Sequence, residues 1–299
     1  MIIKLENGRI YDPINKINGK IKDLFIKNGK IVDKPKRNEK ISKIINLKKK
    51  IIMAGGIDIH SHIAGGKVNL ARLLLPEEHR KYLYSSSNIL RSGSGLGTCS
   101  SFHIGYKYAK LGYTAVFEPA VLPSNSRSAI IEMSDIPLID KGTYTVLSND
   151  DFLLKLIQKK SNQKKINDYV AWIIQSTKSL GIKVVNPGGI NAFKFNQREL
   201  DLDEKNKKYN ITPRSILKIL TKSLIDLKAP HPIHVHGCNL GIPGNVKTTL
   251  KQINAVEGKP MHLTHIQYHS YNNEGDKKFS SGASILAEKI NKNKNITCD

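Results

Sequence analysis

Closely spaced histidines occur in three short segments of this sequence, and each segment ends a strand-like run of apolar residues. The first is "GGIDIHSHIAGG", in which one residue separates His60 from His62. Residues two positions apart in a β-strand point to the same side, so both imidazoles face one region of space. Neutral imidazole is a good ligand for divalent ions such as zinc or iron(II). The spacing therefore predicts a metal site at the carboxyl end of the first strand.

Two later segments repeat this arrangement. "IHVH" contains His234 and His236, and "MHLTH" contains His262 and His265. We favour His236 and His265 as ligands, because His234 lies a layer deeper in its strand. Three other histidines are interpreted as hydrogen-bonded structural residues. They are His79 in "PEEHRK" and, in the second half of the chain, His231 and His269.

A metal site built from imidazoles alone leaves the charge of the cation uncompensated, so an anionic ligand is expected. No carboxylate ends the fourth predicted strand, "GIKVVNPGG", but Lys183 lies in it. Burial would lower the pKa of this lysine, because it disfavours the charged form. The neutral amine could then add CO2 and become a carbamate. On local sequence alone, this role and that of a surface lysine are equal alternatives.

The elements that must position these residues change in character near residue 50. Residues 1–50 contain short strands with Asn-Gly steps, which predict hairpins and a small β segment. Residues 51–299 alternate strand-like runs with helical patterns, one of which begins at Thr212 as N-cap with Pro213 in its first turn. This alternation predicts an α/β fold with a parallel sheet, and six or seven units in a row favour a (β/α)8 TIM-like barrel.

The predicted barrel is short of strands. The sequence reaches Asp299 in the seventh predicted strand, "NITCD", whereas a closed barrel needs eight. We therefore expect a barrel that is incomplete at its C-terminus, truncated before strand eight, in an N-terminal fragment of a longer protein.

Composition excludes several classes of protein. The net charge is +23, but lysines are scattered along the whole chain, so we interpret them as a solvated surface without nucleic-acid binding. No apolar run is long enough for a membrane span, and the N-terminus does not resemble a signal peptide. The cysteines, Cys99, Cys238 and Cys298, are far apart, which argues against disulfides or a thiolate zinc site. A cytoplasmic protein is expected.

Four segments together resemble a known family. "HSHIAGGKVN", "NPGG", "HGCNLGIPGN" and "MHLTHIQYHSY" are similar to the A subunits of formylmethanofuran dehydrogenase and of the bacterial formyltransferase/hydrolase complex, within the amidohydrolase superfamily. The resemblance extends from "KNGKIVD" over nearly the whole remaining chain. It implies a metal-bearing barrel, with residues 1–50 contributing to a small β-sandwich.

The resemblance also implies a binuclear zinc centre. His60 and His62 would bind the buried ion, His236 and His265 would bind the second, and carboxylated Lys183 would bridge the two ions. Lys183 and His265 would be the catalytic residues. The superfamily also uses an aspartate at the end of strand eight, which this sequence does not reach, so we expect the chain to be inactive alone.

One competing lysine and several loop residues complete the predicted site. Lys194 in "AFK" resembles the bridging lysine of dihydroorotases and hydantoinases. The sequence around Lys183 nevertheless favours Lys183 as the bridging residue. The loops around "NPGGINAFKFNQ" and "CNLGIPGN" supply the candidates for substrate binding: Asn186, Asn239 and Arg198.

The function implied by the resemblance is the interconversion of N-formylmethanofuran with formate and methanofuran, in methanogenesis and related one-carbon metabolism. Its implied partners are the other dehydrogenase subunits, which carry a tungsten or molybdenum pterin and iron–sulfur clusters. One alternative is a stand-alone cyclic amidohydrolase of the dihydroorotase or hydantoinase type. A second alternative is a lysine-rich binding module with structural histidines.

Overall fold

A computed structural model describes residues 1–75, 77, 101–197 and 199–299. The chain divides into two compact units, Met1–Gly56 and Ile57–Asp299. The first unit is a five-stranded sheet in the order β3-β2-β1-β4, with β5 also paired to β1. Its strands are β1 (Ile2–Asp12), β2 (Ile17–Lys27), β3 (Lys30–Val32), β4 (Lys43–Asn46) and β5 (Ile51–Ile52).

The Asn-Gly steps of the first unit have two different roles. Asn28 and Gly29 connect β2 to β3, and both have positive φ, 52° and 75°, as a two-residue hairpin turn requires. Asn7 and Gly8 lie inside β1, at a shift in its register with β2. The hairpin predicted at Asn7 is therefore wrong. A Cβ on Gly8 would collide with the side chain of Ile52, so this glycine serves a close approach at a bulge.

The second unit is built on a seven-stranded parallel sheet, in the order β14-β11-β10-β9-β8-β7-β6. The strands are β6 (Gly56–Asp58), β7 (Tyr113–Val121), β8 (Asp140–Val146), β9 (Gly181–Val185), β10 (Ile233–His236), β11 (Met261–Leu263) and β14 (Ile296–Cys298). A small antiparallel pair, β12 (Tyr271–Asn272) and β13 (Ser280–Ser281), lies between the last two in the sequence.

Helices connect these strands. They are α1 (Gly66–Leu73), α2 (Phe102–Lys110), α3 (Ser126–Ser134), α4 (Asp151–Gln158), α5 (Gln163–Thr177), α6 (Gly189–Lys194), α7 (Pro213–Asp226), α8 (Val246–Ala255) and α9 (Ala283–Asn291). Thr212 caps α7, because its side chain accepts a hydrogen bond from the Ser215 amide at 3.2 Å. No helix within the described ranges is long and apolar enough to cross a lipid bilayer.

The apolar pattern over residues 167–180 predicts a helix, and the observed helix, α5, lies a few residues earlier in the chain. It begins at Gln163, because the Asn162 side chain caps it by accepting from the Lys165 amide at 2.9 Å. It ends at Thr177, because Lys178 adopts a left-handed conformation with φ 54°. The sequence around residues 99–111 also predicts a helix, and α2 is observed over Phe102–Lys110. The predicted part before residue 101 lies outside the described residues.

The large sheet is strongly curled. His60 follows β6 and Asp299 follows β14, at opposite ends of the strand order. Six intervals of about 4.8 Å in a flat sheet would separate these strands by roughly 29 Å. Yet Nδ1 of His60 lies 3.7 Å from Oδ2 of Asp299. The carboxyl ends of the first and last strands therefore approach each other, and the predicted incomplete barrel is confirmed.

Candidate metal centre

Strict alternation along three neighbouring strands separates the core from the site. In β9, β10 and β11 one set of residues packs into the main hydrophobic cluster beneath the helices: Ile182, Val184, Ile233, Val235, Met261 and Leu263. The residues between them point to the opposite face of the sheet. Those residues are Lys183, His234, His236 and His262. The apolar pattern thus directs one amine and three imidazoles into the interior of the curl.

The strand register aligns these groups in one row. His234 pairs with Lys183 on one side and with His262 on the other, and His262 pairs with Thr297. His236 lies one layer nearer the carboxyl ends, opposite Val185. The rings of His234 and His262 stack with centroids 4.7 Å apart. Backbone hydrogen bonding therefore fixes the spacing of the polar row.

Lys183 lies at one end of this row, beside His234, and is 2% exposed. Its Nζ lies 3.1 Å from Oγ1 of Thr264 and 3.4 Å from Nδ1 of His60. Burial lowers the pKa of Lys183 to about 7, and the negative charges of Asp299 and Glu118 oppose this shift only in part. A substantial fraction of the amine is therefore neutral near pH 7, as carbamate formation requires.

His60 connects the first strand to this row. Nδ1 of His60 is 3.0 Å from Nε2 of His234, and the two rings stack with centroids 5.2 Å apart. His234, the histidine we expected a layer deeper, is completely buried. Its Nδ1 lies 3.2 Å from Nε2 of His231. The deep histidine is therefore in direct contact with a predicted ligand.

His62 is held by a carboxylate. Nδ1 of His62 lies 3.0 Å from Oε1 of Glu118, which is 2% exposed in β7. The other bonds of Glu118 come from the backbone amides of Ile63, Ala64 and Ala120, at 2.7, 3.2 and 3.1 Å. Donation from Nδ1 to this carboxylate leaves Nε2 of His62 as the unprotonated nitrogen, the form that binds a metal.

His236 and His265 meet on the opposite side of the site. Their ring centroids are 4.7 Å apart, and His265 is also 5.2 Å from His60. His269 stacks on His265 with centroids 5.7 Å apart. The geometry therefore brings together all five residues that sequence assigned to metal binding: His60, His62, Lys183, His236 and His265.

Asp299 adds a carboxylate to this group. Its Oδ2 lies 3.2 Å from Nε2 of His262, and its Oδ1 accepts a short hydrogen bond from the His265 amide. Burial would raise the pKa of Asp299, but these hydrogen bonds and the nearby imidazoles outweigh it and lower the pKa. His265 has a left-handed backbone, with φ 40° and ψ 57°, so the carboxylate holds this residue in a strained conformation.

Burial favours the neutral form of five imidazoles in the site: His60, His234, His236, His265 and His269. Burial, together with the charge of Lys183 or of neighbouring histidines, lowers the pKa of His60 and of His236 to about 3. The same causes lower the pKa of His269 to about 3 and also lower the pKa of His234 and of His265. Neutral rings with free nitrogen lone pairs are the form that a metal ion requires.

The donor set fits a divalent cation. Ligand atoms of His60, His234 and Asp299 all lie within 4.8 Å of one another. Nδ1 of His265 and Nε2 of His269 are buried and have no hydrogen-bond partner among the described residues. Buried polar atoms without a partner are rare, and a bound ion would satisfy them. Imidazole and carboxylate donors together suit zinc.

The remaining predicted residues lie apart from this group or are already engaged. Lys194 is an exposed residue at the end of α6 rather than in a strand. Asn239 donates to Asp201 at 3.0 Å, which is a structural contact with the chain between α6 and α7. Asn186 has φ 37° in the loop after β9, and its buried Oδ1 has no partner in the described part of the chain. Three residues named from sequence lie outside the described residues: His79, Cys99 and Arg198.

Sequence reasoning missed two carboxylates. Glu118 interrupts the apolar strand "YTAVFEPAV". An acidic residue within an otherwise apolar strand could have identified it as a candidate site residue. Asp299 follows "ITC" in the last strand, and only the curl of the sheet brings it close to the histidines. His269, interpreted as structural, lies against His265 with one nitrogen unpartnered among the described residues.

A curled parallel sheet with imidazoles, an amine and carboxylates at the carboxyl ends of its strands is typical of hydrolases of the amidohydrolase type. The chain belongs to the amidohydrolase family, whose model matches residues 43–299. The relatives identify a branch of that family. The chain is 38% identical to Protein FwdA of Methanocaldococcus jannaschii, over 99% of this chain and 53% of the relative.

A second relative supports the same branch. The A subunit of the formyltransferase/hydrolase complex Fhc of Methylorubrum extorquens is 34% identical, over 97% of this chain and 52% of that protein. The solved FhcABCD complex of the same organism, with methylofuran bound, superposes with a TM-score of 0.89 at 33% identity. That match covers 100% of this chain and 54% of the other. The chain thus spans about half the length of the curated relatives it matches.

The fold is shared more widely. An N-acyl-D-glutamate deacylase of Bordetella bronchiseptica, solved with zinc and a phosphonate inhibitor, matches with a TM-score of 0.53 at 14% identity. This match covers 99% of the present chain and 57% of the deacylase. At this identity the similarity concerns the architecture alone. The predicted resemblance to the A subunits is confirmed by the curated relatives and by the solved complex.

Proposed function

We propose that this chain carries the hydrolytic site found in the A subunits of formylmethanofuran dehydrogenases and of formyltransferase/hydrolase complexes. The reaction is the interconversion of an N-formyl amide on a methanofuran-type carrier with formate and the free amine. The observation that carries the proposal is the buried amine of Lys183 in one row with His234 and His262, 3.4 Å from His60. The similarity to the Fhc protein, which was solved with methylofuran, supports the identity of the carrier.

Two zinc ions are the proposed cofactors. His60 and His62 would bind one ion, and His236 and His265 would bind the other. Carboxylated Lys183 would bind both ions. When bound, these ions would polarise the amide carbonyl and lower the pKa of a water molecule. His234 and Asp299 lie close enough to His60 to complete the donor set.

The surroundings of Lys183 support its carboxylation. The lone pair of neutral Nζ attacks the carbon of CO2, so a new N–C bond forms while one C–O π bond breaks and its electron pair moves to oxygen. One amine proton leaves to solvent. The product is an anion with two oxygens, which offsets the positive charge of bound cations. Because burial lowers the pKa of Lys183 to about 7, the amine is available for this reaction at neutral pH.

The protein groups around the cluster keep the imidazoles oriented. Glu118 fixes the tautomer of His62 through Nδ1, and Thr264 contacts both Nζ of Lys183 and Nε2 of His265 at 3.1 and 3.0 Å. Asp299 holds the His265 backbone. Fixed side chains of this kind lower the cost of reorganisation during reaction.

The whole protein is proposed to act within a multi-subunit complex. The solved relative is the FhcABCD assembly with methylofuran, which supports further subunits and a methanofuran-type substrate. The proposed partners carry a metallopterin and iron–sulfur clusters and exchange formate with this site. Copurification of such subunits with the full-length protein is the expected result.

The test compares two lysines in the full-length, zinc-loaded protein. We expect about two zinc ions per chain and hydrolysis of an N-formyl substrate. Lys183→Ala should lower turnover by at least about 100-fold, since it removes the anion that the cations share. Short carboxylates such as acetate should restore part of the activity.

Lys194→Ala is the matched control, because Lys194 is exposed on α6. It should leave zinc content and turnover unchanged. Normal turnover in Lys183→Ala with loss in Lys194→Ala would move the bridge to Lys194. Less than about half a zinc ion per parent chain after zinc-replete expression would refute the metal centre and favour the binding-module alternative.

A cyclic amidohydrolase is the second candidate. A dihydroorotase of Elusimicrobium minutum is 40% identical over 60 residues, which is 20% of this chain. Ring opening of hydantoin or dihydroorotate by the full-length protein, without formamide hydrolysis, would favour this function.

A further inference from the structure

The backbone that follows His62 is held by two buried carboxylates. Three consecutive amides, those of Ile63–Gly65, donate hydrogen bonds to glutamate side chains. The first two donate to Glu118 on β7, and the third, the Gly65 amide, donates to Oε2 of Glu132 on α3 at 2.8 Å. The segment between this predicted metal ligand and α1 is therefore tied to two different elements of the fold.

Gly65 forms the turn into α1. Its φ is 97° and its ψ is 170°, a conformation that residues with a side chain rarely adopt. The chain can enter α1 in this direction because the residue is glycine. The hydrogen bond from its amide to Glu132 then fixes where the turn lies.

Arg72 joins the same carboxylate to the backbone beside His62. Nη1 of Arg72 donates a short hydrogen bond to Oε1 of Glu132, and Nη2 donates a short hydrogen bond to the carbonyl oxygen of Ile63. Asn69 belongs to the same group, because its side chain accepts from Nη1 at 2.7 Å and donates to Oε2 of Glu132 at 3.2 Å. The guanidinium group thus connects α3 to the residue directly after His62.

The two charged side chains are removed from water, since Arg72 and Glu132 are each 7% exposed. A buried ion pair adds little net stability compared with apolar side chains of the same volume, because both ions lose their hydration. A guanidinium group differs from an apolar side chain in holding two acceptors at a fixed distance from each other. The pair is therefore better suited to holding the backbone in place than to stabilising the core.

The ring of His62 needs such support. Its side chain is 56% exposed, whereas that of His60 is 12% exposed, so surrounding atoms constrain the His62 ring less. The direction of the ring depends on the contact of Nδ1 with Glu118 and on the backbone from which the side chain starts. A shift of residues 63–65 would move that backbone relative to the carboxylate of Glu118.

We propose that Arg72 and Glu132 are a positioning pair for the metal ligand His62. The pair fixes the backbone after His62, so that the ring meets Glu118 through Nδ1 and presents Nε2 to the ion. The inference rests on the proposed function, whose metal centre includes His62. In this role the pair acts through His62 and is not itself a ligand.

The tautomer of His62 gives a readout that needs no metal. In zinc-free, full-length protein labelled with 15N-histidine, the His62 ring should be in the Nδ1–H form, with clearly different NMR shifts for its two nitrogens. Arg72→Met should bring these two shifts closer together, because the ring then leaves Glu118 for part of the time and both tautomers form. The signals are assigned by their loss in His62→Ala.

Zinc affinity, measured by competition with a chromophoric chelator, tests the consequence for metal binding. Arg72→Met should weaken the zinc affinity of the full-length protein about tenfold or more. Removal of a positive charge would by itself strengthen the binding of a cation, so the change in charge cannot cause this loss. In a His62→Ala background the same substitution should change the affinity less than about twofold, since the ligand that the pair positions is gone.

Arg214→Met is the matched control. Arg214 also donates to a carboxylate through two nitrogens, Nε and Nη2, at 2.5 and 2.9 Å from Asp203. This pair lies at α7 and is partly exposed, so the variant should keep the zinc affinity and the His62 tautomer of the parent. Arg72→Lys retains the buried charge but lacks the planar guanidinium, and it replaces Arg72→Met in every measurement if that variant does not fold.

The outcomes separate this inference from the proposed function. Equal losses of zinc affinity in the parent and His62→Ala backgrounds would overturn the positioning pair, and so would a parent-like tautomer and affinity in a folded Arg72 variant. The proposed function would stand in both cases if the parent hydrolysed formamides. Conversely, if Arg72→Met mixes the tautomers of His62 but the zinc-loaded parent hydrolyses no formamide, the positioning pair is supported and the proposed function fails.

Discussion

At the scale of single residues, Glu118 sets the orientation of the His62 ring. It accepts hydrogen bonds from three backbone amides and contacts one ring nitrogen, so its carboxylate is held in one position. A carboxylate behind a metal-binding histidine fixes the tautomer of the ring and raises the basicity of the other nitrogen. The side chain is therefore expected to control metal affinity without touching the metal.

Glu118→Gln should weaken zinc binding about 10- to 100-fold, because the amide group is a poorer acceptor and removes the negative charge. Competition with a chromophoric chelator measures this affinity. Glu257→Gln, at a carboxylate on the surface that pairs with Lys218, is the control and should bind zinc normally. Equal affinities for the two variants, both folded by circular dichroism, would show that Glu118 has no such role.

Residue spacing predicted that the histidines cluster, but it did not predict the carboxylates of Glu118 and Asp299 that contact them. The two-residue interval in "HSH" and "IHVH" directs imidazoles to one side from local geometry alone. The contact of His62 with Glu118 joins β7 to the chain after β6, and the contact of Asp299 with His265 joins β14 to the chain after β11. Such pairs depend on strand order and curl, which no local pattern contains.

At the scale of elements, strand register sets the depth of each histidine relative to Lys183. The alternation in β10 was readable from sequence, so His234 and His236 were both expected on the inner face. Their depth relative to Lys183 depends on the pairing of β9 with β10, in which Lys183 is opposite His234. Hydrogen bonding between strands sets this pairing, and the sequence of one strand does not specify it.

Helix α7 packs against the strands of this row, and several of its residues belong to the main hydrophobic cluster. Its start depends on Thr212, whose side chain accepts from the Ser215 amide. Thr212→Ala should lower the free energy of unfolding by about 1 kcal/mol, because the amide loses its partner. Urea denaturation measures the change, with a parent-like slope expected.

Thr212→Ser provides the control, since serine retains the capping oxygen and should stay close to the parent. If the alanine variant is as stable as the serine variant, the cap does not contribute to folding.

Buried ionisable groups make the stability of the whole molecule dependent on pH. Lys183 has a pKa of about 7 in the folded chain and 10.5 as an ordinary lysine. Between these values the unfolded chain binds more protons than the folded chain, so the free energy of unfolding rises with pH. Lys183 contributes at most about 1.4 kcal/mol per pH unit to the slope of the free energy of unfolding against pH.

Lys183→Met should remove this rise and make the metal-free protein more stable at pH 7, because the cost of burying the amine disappears. Chemical denaturation from pH 6.5 to pH 10.5, in buffer depleted of CO2 and zinc, measures both effects. Lys194→Met alters an exposed lysine and should keep the pH dependence of the parent. A parallel pH dependence in Lys183→Met and the parent would contradict the lowered pKa of Lys183.

The stacked contact between His60 and His234 joins positions 174 residues apart in the chain. Closing so long a loop costs entropy that only a nearly completed sheet can offset, so the two rings meet late in folding. An unfolded chain still offers its ten histidines to any metal in solution, in many wrong combinations. Preparations refolded from denaturant should therefore contain a chelator until the sheet has formed, with zinc supplied only as the final step.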